Sequence, residues 1–263
     1  MKFCSLYSGS SGNSIFISSG NTRILVDAGM AGKKIDEALK SIDEDPRDID
    51  GIFITHEHID HVKGVGVLSR KYDIPIYANE LTWIAMEKSI GNIKSHNVKF
   101  MDRRSSVSIK DLDIKSFNIP HDAAAPVGYS MCCNGKICSV ATDMGTFTEE
   151  IKDNIKESDV MLIESNHDVQ MVKYGPYPYP LKTRILSEIG HLSNNDCGNA
   201  ILDLLRIKDK RKIFLGHLSN TNNYPELAYK TVGNILEENG IVIGNDVHLS
   251  LAERNNASEC YIF

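Results

Sequence analysis

The sequence lacks the features that mark several protein classes. No apolar run approaches the length that spans a bilayer, and the opening MKFCSLYSGSSGNSIFI has one lysine and no apolar stretch long enough for an export signal. The expectation is a cytoplasmic protein. There is no CxxC pair among the six scattered cysteines, Cys4, Cys132, Cys133, Cys138, Cys197 and Cys260. Cys133 and Cys138 flank the turn residues Asn134 and Gly135, but in a reducing compartment free thiols are expected. Positive charge is not in excess either: 29 Lys and Arg stand against 35 Asp and Glu, a net charge of −6. The molecule as a whole therefore does not mark itself as a nucleic-acid binder, and an anionic substrate must be attracted locally. No composition shift or low-complexity linker divides the 263 residues, so residues 1–263 read as a single α/β domain.

What the chain does have is concentrated in THEHIDH, Thr55 to His61, where three histidines and two carboxylates occupy seven residues. The apolar run Gly51 to Ile54 precedes it and reads as a short buried strand, which places these side chains on a loop at a strand end. In an extended segment residues two apart share a side. His56 and His58 then suit one metal ion, while Asp60, next along that side, and His61 turn toward a second. A solvated turn gives no reason to gather so many imidazoles between carboxylates.

The remaining pattern supports α/β layering. Strand-like runs at Lys2 to Tyr7, Ser14 to Ile17 and Arg23 to Val26 are followed by helical patterns at Lys33 to Ser41, Val62 to Tyr72 and Leu81 to Ser89, with a β run at Ile74 to Ala78. The loop SGSSGNS, Ser8 to Ser14, reads as a Gly- and Ser-rich hairpin, and such a loop also exposes backbone amides able to meet an anionic substrate. Single candidates sit at the ends of later apolar runs: Asp27 in LVDAG, His121 in NIPHDA, Asp143 in TDMG and the stretch ESNHD from Glu164. The segment YGPYPYPLKTR, Tyr174 to Arg184, has three prolines and three tyrosines and is expected to be stiff and extended. Two readings stay open for it: a rigid covering loop, or aromatic faces that with Lys182 and Arg184 meet a polynucleotide. GHLSN occurs twice, at Gly190 to Asn194 and Gly216 to Asn220, and SNND from Ser193 reads as a capping box. The basic run Arg206 to Lys212 is expected to complement the C-terminal dipole of the helix before it.

HEHIDH resembles the HxHxDH motif of the metallo-β-lactamase superfamily, and nearly the whole chain resembles its YycJ-like (WalJ) branch, akin to ribonuclease Z and the phosphoribosyl cyclic phosphodiesterase. The resemblance implies an α/β four-layer αββα sandwich that holds one or two metal ions. It implies that Asp27 orients the histidine loop without binding metal, and that His121 completes the ion held by His56 and His58. Asp143 would bridge both ions, and His217 would complete the second with Asp60, His61 and Asp143. His191 would lie beside the substrate phosphate and protonate the leaving oxygen, with its role and that of His217 open to exchange. Asp60 and His191 are thus the expected catalytic residues, and His191, Lys182, Arg184 and Ser193 the expected substrate contacts. His167 and Asp168 have no standard ligand position.

The implied function is a dinuclear phosphodiester hydrolase with a metal-bridging hydroxide as nucleophile, foremost a DNA exonuclease, with DNA expected before RNA. The alternatives are a small-molecule phosphodiesterase, for cyclic nucleotides or sugar phosphates, and a DNA-binding scaffold without turnover. Two divalent ions are expected. Imidazole-rich ligands favour Zn2+, and the oxygens of Asp60 and Asp143 make Mn2+ the alternative.

Overall fold

The computed structural model describes residues 1–263, which form two compact units. No helix is long and apolar enough to cross a membrane. All six cysteines are free thiols, as expected.

The first unit comprises Met1–Asn118, Ala123–Lys136 and Glu253–Phe263. Strands β1 (Lys2–Tyr7), β2 (Ser14–Ser18) and β3 (Arg23–Val26) pair antiparallel in turn. Then helices intervene between strands: α1 (Gly32–Ser41) before β4 (Gly51–Phe53), α2 (Ile59–Val62) and α3 (Val65–Tyr72) before β5 (Ile76–Ala78), and α4 (Glu80–Ile90) before β6 (Val98–Phe100). A helical crossover returns the chain to the same end of the sheet, so β3 to β6 run parallel in order. The C-terminal strand Tyr261–Ile262 pairs antiparallel with β1. A meander of β7 (Ser106–Ile109), β8 (Leu112–Asn118) and β9 (Val127–Cys133) follows.

Leu6, Phe16, Leu25, Ile35, Leu39, Ile52, Ile54, Val62 and Leu68 share one buried core in this unit. Phe53 stacks on Tyr77 at 4.5 Å, and the Tyr129 hydroxyl donates to the Ile54 carbonyl at 2.7 Å. These contacts fix the end of β4 just before the histidine loop. The helix expected over Val62 to Tyr72 is broken between α2 and α3, because the Gly64 amide donates to the Ala28 carbonyl at 2.8 Å and leaves the helical ladder.

The second unit comprises Ile119–Asp122 and Ile137–Ala252. Its elements are β10 (Lys136–Ala141), α5 (Glu149–Ile155), β11 (Val160–Glu164), α6 (Val169–Tyr174), α7 (Tyr179–Ile185), α8 (Asn194–Leu205), β12 (Arg211–Gly216), α9 (Pro225–Glu238) and β13 (Val247–Leu251). Strands β10 to β13 are parallel in sequence order. Strand β11, VMLIE, is buried at every residue, as a central parallel strand covered on both faces requires.

The stretch from Tyr174 to Arg184 departs from its expected extended form, since α6 ends in it and α7 begins in it. The prolines do not oppose this. Pro178 is the N-cap of α7 and Pro180 stands in its first turn, where a missing amide hydrogen breaks no bond.

In the basic run, Arg206 pairs with Asp203 and Lys208 with Asp159. Arg211, only 1% exposed, donates to the carbonyls of Lys208 (2.9 Å), Lys156 (2.8 Å) and Leu204 (3.3 Å). One guanidinium thus closes the C-terminal ends of both α5 and α8, and burial pushes its pKa down to about 10. Arg211→Ala leaves these buried carbonyls without their donors and is expected to destabilise the protein by about 3 kcal/mol in urea unfolding. A loss below about 1 kcal/mol would show that water replaces the guanidinium.

Candidate metal centre

Each unit gathers donors at the ends of parallel strands. In the first, Asp27 directly follows β3, and its carboxylate accepts from the Thr55 amide (2.8 Å) and the Thr55 hydroxyl (2.7 Å). The same oxygen that meets the hydroxyl lies 2.7 Å from His61 Nδ1. Nδ1 is therefore held by Asp27, and Nε2 points elsewhere, the usual means of fixing an imidazole for metal. The Thr55 hydroxyl also lies 3.0 Å from His56 Nδ1.

His56 Nε2 and His58 Nδ1 are 3.0 Å apart, close to the ~3.3 Å between two nitrogens on one tetrahedral zinc ion. Asp60 Oδ2 is 3.6 Å from His61 Nε2. The segment is not extended throughout. His58 caps α2, and its carbonyl accepts from the amides of His61 (2.9 Å) and Val62 (3.2 Å), so Asp60 and His61 occupy a helical turn. That turn, rather than strand alternation, separates Asp60 and His61 from the His56–His58 pair.

The Ser8 to Ser14 loop is tied to this turn through Asn13. Its amide donates to the Asp60 carbonyl at 2.8 Å, and its Nδ2 is 3.1 Å from His61 Nε2. Sequence reasoning assigned Asn13 nothing, because an Asn in a Gly- and Ser-rich loop looks like any turn residue.

In the second unit Asp143 follows β10, Glu164 ends β11 and His217 follows β12. Asp143 Oδ1 is 3.4 Å from His217 Nε2, 3.7 Å from His191 Nδ1 and 3.8 Å from His121 Nε2. Glu164 Oε1 lies 2.8 Å from Nδ1 of both His191 and His217, while Oε2 accepts from the Met144 amide (2.7 Å) and the Leu192 amide (3.2 Å). Asp143, Glu164, His191 and His217 each offer a donor atom, all within 4.8 Å of one another. Burial of Glu164 favours its neutral form, but the charges and hydrogen bonds of His191 and His217 outweigh it and hold the carboxyl below the usual carboxylate range. Burial pushes the His121 pKa down, and its Nδ1 is 3.0 Å from the Gly190 carbonyl.

Asp27, Asp143 and His217 all have left-handed backbone, with φ of 60°, 57° and 52°. Such φ values are uncommon without glycine and cluster at functional sites. Here each falls at a strand end and turns the chain sharply.

The other expected residues are more constrained. Ser193 caps α8: its hydroxyl accepts from the Asp196 amide at 3.1 Å and donates to the Asp196 carboxylate at 2.6 Å. Lys182 Nζ donates to the Lys173 carbonyl at 2.9 Å, and Arg184 pairs with Asp122. Asp122, the chain neighbour of His121, is thus engaged by a guanidinium. Asp168 caps α6 through the Met171 amide at 2.8 Å, and burial lowers the pKa of His167 to about 4.

Glu164 is the functional residue that sequence reasoning missed. Its signal was present, since it ends an apolar strand as Asp27 and Asp143 follow theirs. Imidazoles and carboxylates without thiolate fit a divalent ion such as zinc or manganese.

The beta-lactamase superfamily domain matches residues 22–217. The chain belongs to the β-lactamase superfamily. Within the superfamily it is similar to Exodeoxyribonuclease YycJ of Bacillus anthracis, with 41% identity over 244 residues covering 93% of this chain and 92% of that one. It is also similar to Exodeoxyribonuclease WalJ of Streptococcus pneumoniae, with 44% identity over 247 residues, 93% of this chain and 91% of that one. The structure resembles the metallo-β-lactamase fold protein YhfI from Bacillus subtilis, with a TM-score of 0.70 and 13% identity across 98% of this chain and 99% of that one. The fold of this superfamily member is therefore the α/β, four-layer αββα sandwich that the HEHIDH resemblance implied.

Proposed function

We propose that the chain is a metal-dependent exodeoxyribonuclease, with residues 1–263 working as one hydrolase domain. Its similarity over most of its length to two exodeoxyribonucleases supports the reading. A DNA substrate in a bacterial setting makes the cytoplasm its place of action. His56, His58 and His121 would hold one ion, Asp60, His61 and His217 a second, with Asp143 between them. Zn2+ is the first choice and Mn2+ the second. When bound, such ions supply a water ionised near neutral pH and positive charge for the phosphoryl oxygens.

The chain's own residues do the rest. Asp27 fixes His61, and Glu164 fixes His217 and His191 from behind. His191, side chain 21% exposed and held through Nδ1, presents Nε2 to protonate the leaving oxygen. Asp60 is the other catalytic residue, and Lys182 and Arg184 add charge beside the substrate. Ser193 acts through its cap on α8, which follows the His191 loop directly.

The observation that carries the proposal is His191 braced by a fully buried carboxylate. A scaffold without turnover has no use for an imidazole so prepared. The test is metal analysis, then assay on end-labelled oligonucleotides and on bis(p-nitrophenyl) phosphate. Two metal equivalents, stepwise shortening of DNA and loss of both activities on chelation are expected. Diester cleavage with no shortened oligonucleotide would leave a small-molecule phosphodiesterase; bound metal with neither activity would leave the scaffold.

A further inference from the structure

The first sheet ends in its shortest strand. The C-terminal strand Tyr261–Ile262 has two residues and forms the sheet edge beside β1. So short a strand has few ladder bonds to hold it, and chain ends fray. The strand it covers matters to the metal centre. β1 leads directly into the Ser8 to Ser14 loop, whose Asn13 amide is bonded to the Asp60 carbonyl.

The register of this edge sets two cysteines face to face. Met1 and Phe263 exchange both backbone bonds (2.8 and 3.0 Å), Lys2 pairs with Ile262 and Phe3 with Tyr261. One step further, Cys260 stands across from Cys4. Bonded and non-bonded pairs alternate along an antiparallel ladder, so with Met1 and Phe263 bonded, Cys4 and Cys260 form a non-bonded pair, in which Cα atoms are about 4.5 Å apart. A disulfide spans about 4.4 to 6.8 Å between Cα atoms. Both side chains lie on the core side, Cys4 within the buried cluster of the first unit and Cys260 packed against it.

The two sulfurs differ in access. Cys4 is fully buried and its Sγ donates to the Ser258 carbonyl at 3.2 Å; burial, and then its contact with the Cys260 thiol, push its pKa up. A thiol so held does not start a reaction. Cys260 is half-buried and lines a cleft of about 910 Å³ between α1 and the C-terminal segment. Lys2 lines the same cleft, and its ammonium acts on both sulfurs, favouring a thiolate.

We propose that Cys4 and Cys260 are a dithiol oxidation site for small hydroperoxides, closing to a disulfide that latches the C-terminal strand onto β1. Cys260 loses its proton and its sulfur attacks one peroxide oxygen. The O–O bond breaks, the other oxygen leaves as an alcohol or water with that proton, and Cys260 becomes a sulfenic acid. The Cys4 sulfur then attacks the Cys260 sulfur, the S–O bond breaks, and the hydroxide leaves as water with the Cys4 proton. Two thiols are oxidised by two electrons, and one peroxide is reduced. The latch works whatever substrate the metal centre takes, and it pins the strand that carries the Ser8 to Ser14 loop.

The test treats the zinc-loaded protein with hydrogen peroxide, since zinc adds no redox chemistry of its own. Two of the six free thiols should be lost, peptide mapping should join Cys4 to Cys260 within one chain, and dithiothreitol should restore both. The oxidised protein should melt about 5 to 15 °C above the reduced one. In Cys4→Ser the reaction should stop at a sulfenic acid on Cys260 that dimedone traps, and in Cys260→Ser the buried Cys4 should stay reduced. Mapping of the native protein decides the pairing even if a variant folds poorly. Thiols that survive peroxide, a different pairing, a link between chains, or Cys4 oxidised in Cys260→Ser overturns the site. A Cys4–Cys260 bond that leaves Tm unmoved or lowers it overturns the latch.

Discussion

Glu164→Gln is expected to lower kcat about 10²- to 10⁴-fold and to weaken metal binding about 10- to 100-fold, with the fold intact. The carboxylate is fully buried and accepts on every side: two backbone amides at Oε2, two imidazole Nδ1 atoms at Oε1. Glutamine has the same shape but only one accepting oxygen. If that oxygen faces the Met144 and Leu192 amides, the side-chain NH2 faces the imidazoles. Each must then accept at Nδ1 and carry its proton on Nε2. For His217 that removes the lone pair a metal needs, and for His191 it removes the negative charge that stabilises the imidazolium form. If the amide turns the other way, two backbone donors lose their acceptor inside the protein. Either orientation harms the site, while secondary structure seen by circular dichroism should persist. Metal titration and single-turnover kinetics check this. A variant with native metal content and a rate within about threefold would reduce Glu164 to a plug at the end of β11.

How far the site could be read from sequence depended on whether its parts were local. HEHIDH is legible because its donors are crowded into one short stretch, where no ordinary turn explains them. Strands such as β3 and β11 are legible for a similar reason, since a buried parallel strand is a short unbroken apolar run bounded by turn residues. Glu164 was not legible as a partner of two histidines, because His191 and His217 are 27 and 53 residues away along the chain. Periodicity carries no information on contacts of that range. The α6–α7 segment failed for another reason. Proline inside a helix breaks it, but its effect depends on position, and at the first turn of α7 it begins one. The helical turn at Ile59–Val62 was hidden because four residues are too few to show a period of 3.6.

The same strand-end geometry underlies the second large effect, Gly29→Ala, which is expected to abolish binding of at least one metal ion and to lower kcat/KM by 10²-fold or more, an order-of-magnitude expectation for a displaced catalytic loop. Asp27 turns the chain out of β3 through its left-handed backbone, and two residues later Gly29 passes directly beneath the histidine turn. A Cβ on Gly29 would lie 1.6 Å from the Asp60 carbonyl oxygen, 2.3 Å from its carbon and 2.7 Å from the Asn13 amide nitrogen. All three are backbone atoms, so no rotamer change relieves the clash. The neighbours cannot yield independently either, because the Asn13 amide is bonded to that same Asp60 carbonyl and the Gly29 amide to the Asn13 carbonyl. The turn carrying Asp60 and His61 must move as a body, away from the Asp27 carboxylate that holds His61 Nδ1. The stability cost should be about 1 to 3 kcal/mol, as for other overpacked sites. Gly20→Ala is the control, since its added Cβ would meet only the Asp111 side chain, at 3.5 Å. Metal content, kcat/KM and urea unfolding of the two variants should separate local displacement from global loss. A fully metal-loaded Gly29→Ala enzyme with native kcat/KM would mean that the histidine turn is held by its ions and not by the chain beneath it.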